Sequence, residues 1–263
     1  MTQTSPQSVV VTGGGRGIGA ALARVYAAPG VTLLLIGRDA ERLAGTAAEC
    51  RARGAAVETA AVDVVDSEAL ARALLAFDAL YPVDLLIANA GVSGGLQDGR
   101  RMETFESARR QIRVNLEGAV ATATPLIEPM RARRRGQIVL MSSLAALQPI
   151  GDTAAYSASK AGILVWGEAL AEFLARDGVG VSVVCPGFVT SDMSARYLGP
   201  KPFEMSADAA AALIRRRLAR GHELIAFPWQ MVAAIRVGRL LPRRLLRFIL
   251  GRVPVTIAAD KYG

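Results

Sequence analysis

Two side chains that together could move a proton, Tyr156 and Lys160, stand four residues apart. On a helix this spacing places them side by side on one face. A tyrosine in water titrates near ~10, which is too high for efficient proton exchange at neutral pH. A nearby ammonium favours the phenolate, so we expect Lys160 to lower the pKa of Tyr156 and make it a general acid and base. The alternative is that the same residues simply begin an ordinary amphipathic helix.

A cluster of glycines near the start of the chain has the form of a phosphate-binding turn. It reads Thr-Gly-Gly-Gly-Arg-Gly-Ile-Gly from Thr12 to Gly19, after a strand-like run and before a helix-like stretch. Glycines there permit a tight turn and let backbone N–H groups approach a pyrophosphate at a helix N-terminus. We therefore expect this turn to bind a nucleotide, with a glycine turn that binds nothing as the alternative.

The elements that position these groups are indicated by a regular alternation. Short β-branched or leucine-rich runs are separated by longer stretches rich in Ala, Leu, Arg and Glu, which is typical of repeated βαβ units. The runs are Val9 to Thr12, Val31 to Ile36, Ala56 to Val62, Val83 to Ala88, Gln137 to Ser142, Val179 to Val184 and Glu223 to Phe227. Most are apolar throughout, as expected for strands covered on both faces of a parallel sheet. The sequence therefore predicts a single α/β domain with a doubly wound sheet.

Helices are predicted between the first runs, over Gly17 to Ala28, Asp39 to Arg53 and Ser67 to Leu80. Asp39 and Ser67 are well placed to be their N-caps, because short polar side chains accept hydrogen bonds from the first turn of a helix.

Further short motifs follow the glycine turn in a fixed order. They are Asn89-Ala90-Gly91 after the fourth run, Asn115, Ser143 after the fifth run, Tyr156 with Lys160, and Pro186-Gly187 after the sixth run. Together with the spacing of Gly13, Gly17 and Gly19, this set resembles the short-chain dehydrogenase/reductase family over about Val9 to Met193. The resemblance implies a Rossmann-like, doubly wound and largely parallel seven-stranded sheet with helices on both faces, and an NAD(P)-dependent oxidoreductase.

The resemblance also implies catalytic roles for Asn115, Ser143, Tyr156 and Lys160. Tyr156 exchanges a proton with the substrate oxygen while hydride passes to or from the nicotinamide, and Ser143 holds that oxygen by a hydrogen bond. Lys160 also binds the nicotinamide ribose, and Asn115 supports a water relay. Some alternatives stay open: Asn115 as a helix residue bonded to a neighbouring carbonyl, Asn89 as a structural brace, and Ser142 in place of Ser143.

A set of dinucleotide-binding residues is carried over from the family in the same way. It comprises Gly13, Gly15, Arg16, Gly17, Ile18, Gly19, Arg38, Asp63, Val64, Asn89, Ala90, Gly91, Tyr156, Lys160, Pro186, Gly187, Val189 and Thr190. Within it, Asp63 resembles the residue that bonds the adenine amino group, with a plain strand-end cap as the alternative. Val64 is expected against the adenine ring, and Thr190 on the nicotinamide carboxamide.

Charge at the end of the second run indicates which dinucleotide is preferred. Enzymes that prefer NAD usually carry an acid there, which binds the ribose hydroxyls and repels a 2′-phosphate. This chain has Gly37 followed by Arg38, and Arg16 lies within the glycine turn. These cations resemble the pair that binds the 2′-phosphate, so NADP(H) is expected rather than NAD(H). Pairing of Arg38 with Asp39 or Glu41 is the alternative.

The positive charge of the chain is concentrated near its end. The 263 residues carry a formal net charge of +8, and six arginines with no acid among them lie between Trp229 and Arg252. Nucleic-acid binders usually spread their basic residues and interleave aromatics, so no nucleic-acid partner is expected. We divide the chain into a domain over 1–228 and a basic apolar extension over 229–263, which Pro242 breaks in two. Residues 229–252 could contact an anionic membrane peripherally, or could form helices that pack on a partner subunit or over the substrate mouth.

Composition sets wider limits. With 52% hydrophobic residues the chain can offset the entropy of ordering, which excludes a disordered protein. Cys50, Cys185 and His222 cannot assemble a disulfide framework or a zinc site, and no metal is expected. The polar start lacks the features of a signal peptide, and the apolar runs are too short to span a membrane. A cytoplasmic location is expected, with membrane association at the inner surface if the extension makes that contact.

The substrate is expected to be a ketone or aldehyde, or the matching secondary alcohol. The walls of the substrate-binding site would come from residues 92–101, residues 144–150, Phe188 and a lid over about 190–205. These segments are mostly apolar and favour a hydrophobic compound, whereas Arg196 and Lys201 would favour an anionic one. A catalytically silent NADP-binding regulator or scaffold is the alternative function, although the intact four-residue set argues against it. The resemblance also implies a homodimer or homotetramer.

Overall fold

A parallel sheet forms the centre of the molecule. The computed structural model describes residues 6–94, 102–242 and 244. Its strands are β1 Ser8–Thr12, β2 Thr32–Gly37, β3 Ala56–Ala61, β4 Leu85–Ala88, β5 Gly136–Met141, β6 Val179–Pro186 and β7 Leu224–Phe227. They form one sheet in the order β3-β2-β1-β4-β5-β6-β7, and each neighbouring pair is parallel. The predicted doubly wound, seven-stranded sheet is therefore confirmed.

Helices connect the strands and cover the sheet. They are α1 Gly17–Tyr26, α2 Ala40–Arg51, α3 Ser67–Leu80, α4 Phe105–Gln111, α5 Gly118–Ala132, α6 Leu144–Leu147, α7 Ala154–Leu174, α8 Asp192–Ala195, α9 Ala207–Leu218 and α10 Trp229–Gly238. A π-helical turn, Ile112–Glu117, joins α4 to α5, and 3-10 turns at Gly151–Thr153 and Ala175–Asp177 lie on either side of α7. None of the helices in the described part of the chain is both long and apolar enough to cross a membrane.

Successive residues of β1 enter two different hydrophobic cores. Val9 and Val11 pack with residues of α1, α2 and α9, whereas Val10 packs with residues of α3, α5 and α7. These three valines are completely buried. Helices on both faces therefore explain why this strand is apolar throughout rather than alternating. The edge strand β3 differs, since most of its residues are exposed or partly exposed and only Val57 is buried.

The predicted helix starts were right at one N-cap and wrong at another. The Asp39 carboxylate caps α2 by accepting from the N–H of Arg42 at 3.0 Å. For α3 the cap is Asp66, which accepts from the N–H of Ala69 at 3.0 Å, and Ser67 is the first helical residue. A capping side chain must lie just outside the helix to reach back to its first turn, and Asp66 holds that position.

The sheet order creates a crevice where the nucleotide residues were predicted. β1 is hydrogen-bonded to both β2 and β4, so the chain changes its winding direction between β1 and β4. In sheets of this kind, ligands bind outside the carboxyl ends of the strands at that point. The glycine turn follows β1 and Asn89 follows β4, which brings the two motifs together.

The predicted extension, residues 229–263, begins with helix α10. α10 starts at Trp229, directly after β7, and ends at Gly238 rather than at Pro242. The rest of the predicted basic segment, residue 243 and residues 245–263, lies outside the described residues.

Candidate active site

The turn from Gly13 to Gly19 needs glycine at some positions for a positive φ angle and at another for close contact with neighbouring atoms. Gly13 and Gly17 have φ angles of +67° and +55°, which side chains other than glycine rarely adopt. A Cβ on Gly19 would overlap the Gly13 carbonyl oxygen and the Asn89 amide nitrogen. Arg16 is the N-cap of α1, and its side chain makes no cap hydrogen bond in the described structure. The first turn of α1 thus faces the crevice without a side-chain cap of its own, as a phosphate-binding turn requires.

Asn89 ties the end of β4 to the glycine turn. Its Nδ2 donates to the Thr12 carbonyl oxygen at 3.0 Å, and its backbone N–H donates to Thr12 Oγ1 at 3.0 Å. The N–H of Ala90 also donates to Thr12 Oγ1, at 3.2 Å. Asn89 is therefore a structural brace in this structure, the alternative that the sequence left open.

Tyr156 and Lys160 lie together on α7. The ammonium of Lys160 is 5.8 Å from the centre of the Tyr156 ring and donates to the Met141 carbonyl oxygen at 2.8 Å. Lys160 is buried, and burial lowers its pKa to about 8. The carbonyl at the end of β5 thus fixes the lysine beside the tyrosine.

The predicted direction of the Tyr156 pKa shift was wrong for this structure. Burial raises the pKa of Tyr156, and the hydrogen bond with Ser143 opposes that rise without cancelling it. The Lys160 ammonium donates to Met141 and lies 5.8 Å from the centre of the ring, and the cost of burying a phenolate outweighs what it offers. Tyr156 therefore holds its proton at neutral pH and is prepared to act as an acid.

Ser142 and Ser143 make different hydrogen bonds. Ser143 is the N-cap of α6, where its Oγ accepts from the N–H of Ala145 at 3.1 Å, and it is the serine that bonds to Tyr156. Ser142 instead donates its hydroxyl to the Lys160 carbonyl oxygen at 2.7 Å and is buried. The geometry favours Ser143 as the serine that meets a substrate.

Asn115 lies in the π-helical turn and is fully buried. Its Nδ2 donates to the Val92 carbonyl oxygen at 2.9 Å and to Ser159 Oγ at 2.9 Å, while its Oδ1 accepts from the Val92 N–H at 2.8 Å. The amide thus joins the segment after β4 to α7. A Cβ on Gly91 would lie 3.2 Å from Asn115 Oδ1 and 3.4 Å from Lys160 Nζ, so these three residues are closely packed.

A cavity of about 230 Å³ opens at this end of the sheet and contains Ser143, Tyr156 and Lys160. Its apolar walls include Leu144, Ile150, Phe188, Met193, Tyr197 and Met231. The first five belong to the segments predicted as walls, and Met231 of α10 was not predicted. Leu147, Leu198 and Phe203 were expected there but are not among the described lining residues. Residues 95–101 of the predicted loop wall lie outside the described residues.

The predicted adenine and 2′-phosphate contacts, which are Arg16, Arg38, Asp63 and Val64, do not line this cavity among the described residues. Arg38 pairs with Asp63 at 3.7 Å, not with Asp39 or Glu41. Val64 is only 5% exposed and packs under Gly118 at the start of α5, which leaves little of it for contact with an adenine ring. Arg16 pairs with Asp192 at 3.0 Å.

Of the predicted cofactor residues at and after the end of β6, some line the cavity and one does not. Pro186, Gly187 and Val189 line the cavity, and the Val189 side chain also belongs to the hydrophobic core. Thr190 is exposed, and its hydroxyl and N–H both donate to the Met205 carbonyl oxygen, at 3.3 and 2.9 Å. Among the described residues Ser191, rather than Thr190, lines the cavity. The structure therefore favours Ser191 for the contact that the sequence assigned to Thr190.

Glu103 and Gln111 were not predicted, yet they connect the walls of the site. Gln111 is buried, accepts from the Gly94 N–H at 2.8 Å and donates to the Glu103 carboxylate. Glu103 in turn accepts from the Ala155 N–H at 2.8 Å. The N-cap residue Thr153 makes no side-chain cap bond within the described structure, so Glu103 caps the helix that bears Tyr156. No local pattern connects residues so far apart in sequence, and Thr153 is itself a favoured N-cap residue, so no signal of this connection is present in the sequence.

Gln111→Leu should test this connection. Leucine keeps the approximate size of the side chain, but it leaves the Gly94 N–H without its acceptor and removes the donor to Glu103 Oε2, so that the Ala155 N–H alone of these two donors still reaches the carboxylate. We expect a free energy of unfolding lower by about 1–3 kcal/mol in chemical denaturation, and lower activity as the start of α7 loosens. The control is Gln148→Leu, since the Gln148 amide reaches only the Pro149 carbonyl oxygen at 3.4 Å. If Gln111→Leu and Gln148→Leu were equally stable, Gln111 would not be the residue that connects the walls of the site.

Known proteins share both sequence and fold with this chain. A family model described as short chain dehydrogenase matches residues 7–199. An uncharacterized oxidoreductase of Myxococcus xanthus is 36% identical over 246 residues, which cover 93% of this chain and 96% of that protein. The 3-oxoacyl-[acyl-carrier-protein] reductase MabA of Mycobacterium bovis is 34% identical over 190 residues, or 72% of this chain and 71% of that one. A metagenomic short-chain oxidoreductase solved in complex with NADP has a TM-score of 0.70 and 31% identity, with 84% of this chain and 95% of that chain covered.

Proposed function

This chain belongs to the short chain dehydrogenase family and is an oxidoreductase, and we propose that it reduces a hydrophobic ketone or aldehyde with NADPH. The observation that carries the proposal is the meeting of Ser143, Tyr156 and Lys160 in one mostly apolar cavity, beside the glycine turn. A module that only bound the dinucleotide would not need the phenol and the ammonium together with Ser143.

The residues present fit a bound dinucleotide. The turn at Gly13 to Gly19 leaves no room for a Cβ at Gly19 and offers the N-terminus of α1 to a pyrophosphate. Tyr156, Lys160, Gly187 and Ser191 line the cavity where the nicotinamide half would lie. When bound, the nicotinamide supplies the hydride.

The side chains of this protein would then handle the proton and the oxygen. The Tyr156 phenol, protonated because burial raises its pKa, donates a proton to the carbonyl oxygen of the substrate. Ser143 Oγ accepts from the Ala145 N–H, and its hydroxyl hydrogen can donate to the same substrate oxygen. Lys160 and Asn115 hold α7 against the end of β5 and against Val92, which keeps the phenol in place. A protonated phenol at neutral pH favours the reductive direction.

The pH dependence of turnover tests this proposal. We expect NADPH oxidation with a hydrophobic ketone to change little between pH 7 and ~10, because the phenol has a raised pKa and stays protonated over that range. Lys160, whose pKa is about 8, loses its charge in the same interval, but the neutral amine still donates to the Met141 carbonyl oxygen. Oxidation of the matching alcohol, which needs the phenolate, should rise over the same interval. Both rates are measured by absorbance at fixed ionic strength. A reductive rate that falls steadily above pH 7 would contradict the proposal.

The preference for NADP(H) rests on charge. Arg38 occupies the place where an acid would favour NAD, and Arg16 extends from the glycine turn. A relative of the same family was solved with NADP, which supports the same choice. NAD(H) would bind without the 2′-phosphate contacts and is proposed as the weaker cofactor.

A hydrophobic substrate is proposed because the cavity walls are mostly apolar. Leu144, Phe188 and Met193 surround the catalytic groups, whereas Arg196 donates to the Ser93 carbonyl oxygen at 3.3 Å. The similar MabA protein is named as a 3-oxoacyl reductase, so 3-ketoacyl thioesters and long-chain ketones are the first compounds to test. Firm NADPH binding without turnover on any of them would favour the silent regulator instead.

The outward face of α10 is proposed as the peripheral membrane contact. Met231, Val232 and Ile235 pack on the core of the domain, as in the interpretation that placed this segment over the substrate mouth. On α10, Trp229 is 74% exposed and Arg236 is exposed. Just after the helix, Arg239 is exposed and Leu240 is 86% exposed. Exposed apolar residues interspersed with cations suit the interface of an anionic bilayer.

Flotation with phosphatidylglycerol vesicles tests the membrane contact without disturbing the buried face of α10. The double change Trp229→Glu with Leu240→Glu should abolish recovery with the vesicles, whereas Leu80→Glu, at a 70% exposed position of α3, should leave it unchanged. Neutral phosphatidylcholine vesicles should recover little of the wild-type protein. Equal recovery of all forms would refute a role for this face.

A homodimer or homotetramer in the cytoplasm completes the proposal. Phe105, Ile112, Val165 and Phe173 are exposed apolar residues on α4, the π-helical turn and α7. The π-helical turn carries Asn115 and α7 carries Tyr156, and the family commonly pairs the helices that bear these two residues across a two-fold. Cys50 and Cys185 are buried free thiols, as a reducing compartment would leave them.

A further inference from the structure

Three charged side chains from distant parts of the chain meet beside the glycine turn. Asp192, the first residue of α8, accepts from Arg16 Nη1 at 3.0 Å and from Arg42 Nη1 at 2.8 Å. Both arginines reach the same oxygen, Oδ2. Arg42 is further held by Asp39, with Nε 3.2 Å from the Asp39 carboxylate. The cluster therefore joins the glycine turn, α2 and the segment predicted as a lid.

The position of Arg42 depends on the absence of a side chain at Gly15. A Cβ on Gly15 would lie 3.1 Å from the Arg42 Cβ, so α2 packs directly against the turn. Arg42 also lies in the first turn of α2, which begins two residues after Arg38, the cation expected at the 2′-phosphate. The two guanidinium groups of Arg16 and Arg42 thus form a site for one anionic oxygen at the edge of the crevice.

The Asp192 carboxylate, which occupies that site in this structure, can be displaced by another anion. The side chains of Arg16, Arg42 and Asp192 are 54%, 47% and 61% exposed, and ion pairs at such positions contribute little to stability. The two arginines, Arg42 foremost, hold the pKa of Asp192 below its usual value, so the carboxylate is ionised at neutral pH. A phosphate carries more charge and more acceptor oxygens than a carboxylate, so it competes well for two arginines.

We propose that Arg42 is a further cation of the 2′-phosphate site, and that the Asp192 carboxylate stands in for this phosphate until NADP(H) displaces it from Arg16 and Arg42. The inference rests on the proposed function, in that it assumes a dinucleotide in the crevice. NAD(H) has no 2′-phosphate and leaves Asp192 where it is. Arg42 therefore favours NADP(H), Asp192 opposes it, and the start of α8 is released only by the phosphorylated cofactor.

Equilibrium binding tests the inference without catalysis. Isothermal titration calorimetry with NADP⁺ and NAD⁺ is carried out on the wild type, Arg42→Ala and Asp192→Asn. Arg42→Ala should weaken NADP⁺ binding about tenfold or more and leave NAD⁺ binding unchanged, because it removes a charge-assisted bond to the phosphate. Asp192→Asn should tighten NADP⁺ binding about twofold to fivefold, also without effect on NAD⁺, because it removes a weak competitor. The fragment 2′,5′-ADP, which has the phosphate but no nicotinamide, should follow NADP⁺.

The matched control is Arg72→Ala on α3. Arg72 is an exposed arginine paired only loosely with Glu68, at 3.8 Å, and its loss should alter neither affinity. Weaker NADP⁺ binding by Asp192→Asn would show that the carboxylate organises the arginines and would overturn the inference. The inference also fails if Arg42→Ala weakens both dinucleotides equally. A wild-type protein that binds neither dinucleotide would instead refute the proposed function itself.

Discussion

Tyr156→Phe is expected to lower kcat for carbonyl reduction by about 10²–10⁴-fold, the usual contribution of a positioned proton donor. The substitution removes only the hydroxyl, so the ring still packs beside Lys160, whose ammonium lies 5.8 Å from its centre. The affinity for NADPH and the melting temperature should change little. Steady-state kinetics and a binding titration on the same preparation separate these quantities.

A second tyrosine in the cavity provides the control. Tyr197 lies in the wall, with its ring 4.9 Å from that of Phe188. Tyr197→Phe removes the same chemical group from the same cavity and should retain most of the activity. If Tyr156→Phe turned over as fast as Tyr197→Phe, the acid role of Tyr156 would have to be abandoned.

Gly19→Ala is expected to abolish dinucleotide binding and to destabilise the fold by about 1–3 kcal/mol, the usual cost of overpacking. The added methyl would overlap the Gly13 carbonyl oxygen, which is backbone and cannot turn aside, and the Asn89 amide nitrogen. The turn must therefore open, and the contact between Asn89 and Thr12 that joins β4 to β1 must shift with it. Calorimetric titration and chemical denaturation measure the two effects.

Gly45→Ala is the control, because it makes the same substitution at a glycine with open surroundings. It shows whether the loss of binding in Gly19→Ala is caused by crowding at Gly19. Gly45 lies inside α2, and the space where its Cβ would point has no atom within 4 Å. Gly45→Ala should therefore stabilise the protein by about 0.5–1 kcal/mol through better helix propensity and leave dinucleotide binding intact. Normal binding by Gly19→Ala would show that the turn has more room than the structure gives it.

Much of this fold could be predicted because its signals are local. The central strands are buried on both faces, so runs such as Val31 to Ile36 stand out as apolar in the sequence. The motifs at Gly13 to Gly19 and at Tyr156 with Lys160 occur at fixed spacings, and helix periodicity alone places the last two on one face. The meeting of these motifs then follows from the parallel order of the strands.

Other features depend on contacts between distant residues and left no local signal. The ion pairs of Asp192 join residues from opposite ends of the domain, and the link from Glu103 to Ala155 joins the segment before α4 to the start of α7. The pKa of Tyr156 was predicted in the wrong direction because spacing shows that a lysine is near but not how strongly burial acts on the phenol. Met231 enters the cavity wall only because α10 folds back on the core.

One side chain links the segment after β4 to the helix that bears the proton donor. Gln111 accepts from the Gly94 N–H and donates to the Glu103 carboxylate, which in turn caps α7. A substitution at Gln111 therefore acts on both parts of the site at once, so substrate selectivity and proton transfer should evolve together at this position.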